Sequence, residues 1–229
     1  MLDLRGVGDR ERSEILATVS HELRTPLTSI CGYIETLLDG ELDPTTTRRF
    51  LETARREAQR LGRFVEGMLE FSMLDLSTRL RGDGCDVAEQ IRATIDAAIP
   101  LAHERKVTIR ARLPASAPAR IDGDVCMHAL LNLVENAIKH GKEEGVVQIS
   151  CVRVNPFIRV CVDDDGPGIA TSEREAVFGL GARGRSVRRP GAGIGLAVVR
   201  AIADRAGGDV RARRSPLGGA RFLLRLPSS

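Results

Sequence analysis

Ser20-His21-Glu22-Leu23-Arg24-Thr25-Pro26-Leu27 lies inside a longer run, Arg10 to about Leu38, where Ile15, Leu16, Val19, Leu23, Leu27, Ile30, Ile34 and Leu37 recur mainly at three- and four-residue steps. That is the helical period, and it predicts one long amphipathic helix. On the helix projection His21 lies about 200° from both Val19 and Leu23, so its imidazole is expected on the face away from the seam, with Thr25 one turn further along. Pro26 removes a helical hydrogen bond and should bend the helix just past this site. The helix should end near Asp39-Gly40, and Asp43-Pro44-Thr45 supplies turn and N-cap chemistry for a second one. There Leu51, Ala54, Ala58, Leu61, Val65 and Met68 form an a/d seam. An antiparallel hairpin of these two helices leaves one face of each uncovered. A second copy completing a four-helix bundle buries both, so a homodimer is expected.

The stretch Leu76 to Gly84 reads as a linker, dividing the chain into 1-80, a helical hairpin, and 81-229, where helix and strand periods mix. Val87 to Arg105 and Asp124 to His140 are helical, and Val107 to Leu113 alternates as a strand. Val146 to Val154 and Phe157 to Asp163 are strands joined at Asn155-Pro156, Ile194 to Ala206 is a helix, and Asp209 to Arg213 with Ala220 to Leu226 closes the chain as a hairpin. The second part is expected to be an α+β sandwich of a mixed sheet and helices.

Apolar residues make up 42% of the 229 positions and charged residues 28%, which excludes a disordered chain and a disulfide scaffold. With aromatics at 3%, no Trp and a net charge of +3, neither base-stacking platforms nor a basic nucleic-acid footprint is present. Residues 1–80 carry 11 basic and 14 acidic side chains, and 81–229 carry 23 and 17, so the positive surplus suggests an anionic ligand in the second part. The five cysteines, odd in number and without a CxxC, read as reduced packing thiols in a cytoplasmic setting. No run approaches the ~18–20 apolar residues of a membrane span, and the start lacks a signal peptide's apolar core, so the chain as given is expected to be soluble.

Four groups of residues carry chemistry. An exposed His becomes a nucleophile when a carboxylate takes its ring proton, and Glu22 adjoins His21. His128, Asn132, Asn136 and Lys139 form a polar stripe on a helix whose other face is Leu130, Leu131, Val134, Ala137 and Ile138; an amide oxygen suits a hard Mg²⁺, and a lysine suits phosphates. Asp163-Asp164-Asp165-Gly166-Pro167-Gly168 ends a strand, and because neighbours on a strand face opposite ways the three carboxylates cannot converge on one cation. Gly191-Ala192-Gly193-Ile194-Gly195-Leu196 fails a dinucleotide fingerprint, since Leu196 stands where the last Gly belongs, yet it still offers a glycine-rich helix N-terminus to phosphate.

In this order and at this spacing the four resemble the H, N, G1 and G2 boxes of the sensor histidine kinases, over roughly residues 10 to 226. The resemblance implies a dimeric phosphotransfer hairpin followed by a Bergerat-type ATP-binding fold. It implies that His21 is phosphorylated from ATP, with Glu22 as acid/base, and passes the phosphoryl group to an Asp in the receiver domain of a response regulator. Thr25 would help dephosphorylate that regulator. It also implies a nucleotide site of Asn132, Asn136, Lys139, Asp164, Gly166, Gly168, Arg183, Gly191, Gly193 and Gly195, with Asn136 holding Mg²⁺ and Asp164 accepting the adenine amino group. Related gyrase- and MutL-class ATPases carry a water-activating Glu where this chain has Asn132, which favours transfer to a protein His over hydrolysis. Two departures stand out: His140 replaces a common Tyr, and Gly181 replaces the second Phe of the lid segment Thr171 to Pro190, which should loosen that lid. Among the lid arginines Arg174, Arg183, Arg185, Arg188 and Arg189, Arg183 is the best placed for phosphate. A membrane enters only if a preceding region anchors the chain.

Overall fold

The computed structural model describes residues 9–40, 42–73, 84–179 and 194–229, apart from the side chains of 9–19, 21–22, 60, 63–64 and 66–73. The described residues fall into two compact units, the first built on 9–73 and the second on 84–179 with 195–229.

The first unit is a pair of helices, α1 (Asp9–Asp39) and α2 (Pro44–Met73), with Pro26 inside α1. Asp43 starts α2 as the sequence suggests: its Oδ1 accepts the Thr45 and Thr46 N–H groups, each at 3.0 Å, satisfying two donors that a helix start leaves orphaned. The short connection makes the helices antiparallel neighbours, and Tyr33 meets Phe50 across them with ring centroids 5.1 Å apart. Ala54 is buried, but Leu51 remains 54% and Val65 43% exposed, with Leu27 and Ile34 similarly open on α1. One hairpin therefore does not consume the α2 seam. Of the expected linker Leu76 to Gly84, residues 76–83 lie outside the described residues, and no described helix is long and apolar enough to cross a membrane.

The second unit is a two-layer sandwich. Its elements run β1 (Cys85–Asp86), α3 (Val87–Glu104), β2 (Thr108–Arg112), β3 (Pro118–Ala119), α4 (Gly123–His140), β4 (Val146–Val154), β5 (Phe157–Asp163), 3₁₀ turns at Thr171–Glu173 and Ala176–Phe178, α5 (Gly195–Arg205), β6 (Asp209–Arg214) and β7 (Ala220–Pro227). The five-stranded sheet has the order β2-β4-β5-β7-β6, with β2 parallel to β4 and every other pair antiparallel. The two-residue strands β1 and β3 pair separately and have too few residues to show any period in the sequence.

Register explains the layers. The row Ile149, Val162, Phe222, Ala212 and the row Cys151, Val160, Leu224, Val210 face the helices and are buried, while Ala111, in register with Ile149 on the edge strand, stays exposed. On the opposite face lie Arg110, Gln148, Asp163, Arg221, Arg213 and then Arg112, Ser150, Cys161, Leu223, Arg211. Among the described residues, much of the positive surplus of the second part thus lies on the outer sheet face. Arginine at every second strand position is what keeps one face of a half-buried sheet in water.

Candidate nucleotide site and family

α4 is capped by Asp122, whose Oδ1 accepts from Asp124 and Val125, and it buries Val125, Ala129, Leu130, Leu133, Val134, Ala137 and Ile138. That burial turns the polar stripe away from the core. Asn132 is fixed by its Nδ2 donating to the His128 carbonyl at 3.0 Å, while its Oδ1 presses on α5: a Cβ added at Gly195 would come within 2.4 Å of it. Gly195 is therefore required by the close approach of α5 to α4. Asn136, one turn on, is half-buried and its amide has no hydrogen-bond partner among the described residues. Lys139 is exposed and ion-paired with Glu135 one turn back.

The three adjacent aspartates take three separate positions. Asp163, fully buried, receives Arg221 in a two-pronged ion pair at 2.8 Å on each oxygen. Asp165 accepts the N–H groups of Lys142 (3.0 Å) and Val146 (2.9 Å), tying the loop after α4 to the end of β5. Between them Asp164, 2% exposed, accepts Gly166 N–H at 2.9 Å and Ala220 N–H at 3.0 Å, both on Oδ1. Among the described residues its Oδ2 has no donor and is left for a further one.

Burial raises the Asp164 pKa above the ordinary carboxylate value; the backbone donors Ala220 and Gly166 pull it down without restoring it, and the charges of Asp165 and Asp163 push it further up. The turn beyond is shaped by close backbone approaches. A Cβ at Gly166 would lie 2.3 Å from the His140 carbonyl, and Gly168 turns with φ +77° against Gly219. Gly219 itself lies so near that a Cβ there would meet Asp164 Oδ1 at 2.1 Å.

The structure thus brings Asp164, Gly166 and Gly168 to the C-terminal end of α4, and Asn132 to Gly195. Arg183, Gly191, Gly193 and Gly181 lie outside the described residues, as do the side chains of His21 and Glu22, though the backbone at both is helical within α1. Thr25 is exposed on the same helix. Within the segment expected to form the lid, Phe178 is anchored edge-on against Phe222 with Arg200 over its ring at 4.8 Å. Sequence reasoning missed Gly219 and Ala220, which hold Asp164; the one available signal was the Gly218-Gly219 pair opening a strand.

The geometry offers a buried acceptor for a planar amine, glycine-lined backbone beside it and, on the neighbouring helix, an amide with no partner among the described residues. Against known proteins, the family model "Histidine kinase-, DNA gyrase B-, and HSP90-like ATPase" matches residues 121–229, and "His Kinase A (phospho-acceptor) domain" matches 11–77. The chain belongs to the sensor histidine kinases. It is 35% identical over 221 residues to the sensor-like histidine kinase SenX3 of Mycobacterium bovis, covering 95% of this chain and 54% of that one. It therefore spans about half the length of this curated relative. Among solved structures, Acinetobacter baumannii histidine kinase AdeS is 25% identical at TM-score 0.62, covering 91% of this chain and 98% of that one. Full-length ShkA in complex with AMPPNP is 27% identical at TM-score 0.58, covering 93% and 45%. A helical HisKA region followed by a mixed α/β ATPase domain is the architecture of this histidine-kinase core.

Proposed function

We propose that this chain is the autokinase core of a two-component sensor. The observation that carries it is Asp164, buried beside a glycine-lined turn with Oδ2 uncommitted, in the same chain as the His21 helix matched by the phospho-acceptor family. ATP binds with its adenine amine on Asp164 Oδ2 and its base against Gly166 and Gly168; the similar protein ShkA is itself solved in complex with AMPPNP. Asn132, Asn136, Lys139 and Gly195 serve the sugar and phosphate end, where the N-terminus of α5 favours negative charge, and Arg183, Gly191 and Gly193 are assigned to the phosphates by the family likeness alone.

Asn136 fits a hard cation: among the described residues its amide has no hydrogen-bond partner, and an amide oxygen suits an ion that keeps water and phosphate ligands. Mg²⁺ held there would neutralise charge on the phosphates. His21 attacks the γ-phosphorus in line; a phosphorus–nitrogen bond forms, the bond to the β-phosphate oxygen breaks, ADP leaves and Glu22 takes the ring proton. The phosphoryl group then passes to an Asp of a response-regulator receiver domain, and Thr25 assists its later hydrolysis. Asn132 supplies no carboxylate to activate water, with Nδ2 committed to His128, so transfer prevails over ATP hydrolysis.

The exposed Leu27, Ile34, Leu51 and Val65 support a homodimer through the hairpin, with the domain division near residue 80. The core works in the cytoplasm, where ATP and the regulator are. Incubation with Mg²⁺ and γ-labelled ATP will place an acid-labile, alkali-stable label on the chain, absent in His21→Gln and Asn136→Ala. Label surviving in His21→Gln would refute the assignment.

A further inference from the structure

Cys85 and Cys126 are 41 positions apart in sequence, yet both are free thiols and each shifts the pKa of the other. Topology brings them together. β1 pairs with β3 in the register Cys85↔Ala119, and three residues beyond Ala119 the chain enters the Asp122 cap of α4. The first turn of α4 then lies against β1, where a Cβ at Gly123 would be 3.7 Å from that of Cys85. Cys126 is wholly buried, whereas Cys85 is partly open to solvent.

We propose that Cys85 and Cys126 form a hydroperoxide-oxidisable dithiol that closes to an intramolecular disulfide. Cys85 is the entry point because it is the accessible sulfur and the acceptor of the Cys126 S–H. That bond holds its pKa below the ordinary thiol value, although burial and the facing charges of Asp122 and Asp86 oppose the thiolate. The same bond and burial push the Cys126 thiol well up, as the resolving partner. Cys85 thiolate attacks one peroxide oxygen, the O–O bond breaks, and with the thiol's proton the leaving hydroxide departs as water, giving a sulfenic acid. The Cys126 sulfur then displaces hydroxide from Cys85, and its own proton makes a second water. Two thiols lose two electrons, and one hydrogen peroxide gains them.

The other cysteines lack this arrangement. Cys151 is buried with its pKa pushed up to about 11, Cys161 is raised by burial, and Cys31 lies exposed on α1. A Cys85–Cys126 bond would tether β1, which follows the interdomain segment, to the helix bearing Asn132 and Asn136.

The full chain would be treated with hydrogen peroxide in slight excess, then mapped by mass spectrometry of non-reduced peptides. A peptide pair joined through Cys85 and Cys126 is expected, two hydrogens lighter and reversed by dithiothreitol, with the thermal midpoint of the second unit raised by about 5 °C or more. Cys85→Ser should abolish both effects and Cys31→Ser neither. Sulfinic or sulfonic acid at Cys85 without the joined pair, or cross-linking through Cys31 instead, would overturn the proposal. The peptide map reads the bond whether or not the chain binds ATP, so it stands or falls apart from the kinase reading.

Discussion

Asp164→Asn separates the two tasks of this carboxylate. Asn keeps an Oδ1 able to accept the Gly166 and Ala220 N–H groups at 2.9 and 3.0 Å, so the turn should survive. On the other side it replaces a charged acceptor with an NH₂ donor facing the adenine amine. Losing a hydrogen bond to a charged group costs about 1.5–3 kcal/mol, and two opposed donors add desolvation, so ADP should bind roughly 10- to 100-fold more weakly or worse. An inosine nucleotide, with an acceptor oxygen in place of the amine, should lose little, read in parallel by calorimetry. Preference for adenine over hypoxanthine should therefore narrow or invert.

The pH dependence follows from the raised Asp164 pKa. The folded chain binds this proton more tightly than the unfolded one, whose value is near 3.8, so this residue's contribution to stability falls as pH rises through the window from 3.8 to the higher folded value, then levels off. Asp164→Asn removes that slope and leaves stability at neutral pH within about 1 kcal/mol of the parent. In the parent, ADP affinity should drop as pH falls through the raised value, because the protonated acid is the poorer acceptor. Asp164→Ala is the contrasting control: it orphans two buried N–H groups and should cost about 2–4 kcal/mol in urea unfolding. If Asp164→Asn folds normally and binds ADP and the inosine nucleotide with equal losses, or with none, Asp164 does not read the base.

Three further outcomes test the surroundings. Gly219→Ala forces a methyl to 2.1 Å from Asp164 Oδ1 and 2.5 Å from Gly166 N, so it should destabilise the domain by about 1–3 kcal/mol and abolish nucleotide binding together, checked by unfolding and ADP titration. Arg221→Ala leaves the wholly buried Asp163 carboxylate without its cation and should cost about 2–3 kcal/mol, discounted because Arg221 is itself 30% exposed; thermal unfolding will show it. Leu51→Glu places a charge on the exposed α2 seam and should convert dimer to monomer by light scattering while ADP affinity stays unchanged, since the second unit binds nucleotide without it.

The regular elements were legible because each is long enough to show its period. The strands at 146–154 and 157–163 were read to the residue, and both long helices to within a residue or two at the ends the sequence marks. Asp43 as a cap and the Asn132–Lys139 stripe were equally visible, since both are local patterns. What escaped depends on contacts between distant segments. Nothing near Asp164 shows that Gly219 and Ala220, 55 and 56 positions later, must close over it, and nothing near Cys85 points to Cys126. Alternation correctly forbade one cation for Asp163, Asp164 and Asp165, but only register assigns their real partners: a cation across the sheet, two backbone donors from β7's start and the next turn, and two donors from the loop after α4. That division of labour is itself informative. Asp163 and Asp165 spend both oxygens on structure, whereas Asp164 spends one, so of three identical side chains in a row it is the one the fold leaves able to hold a ligand.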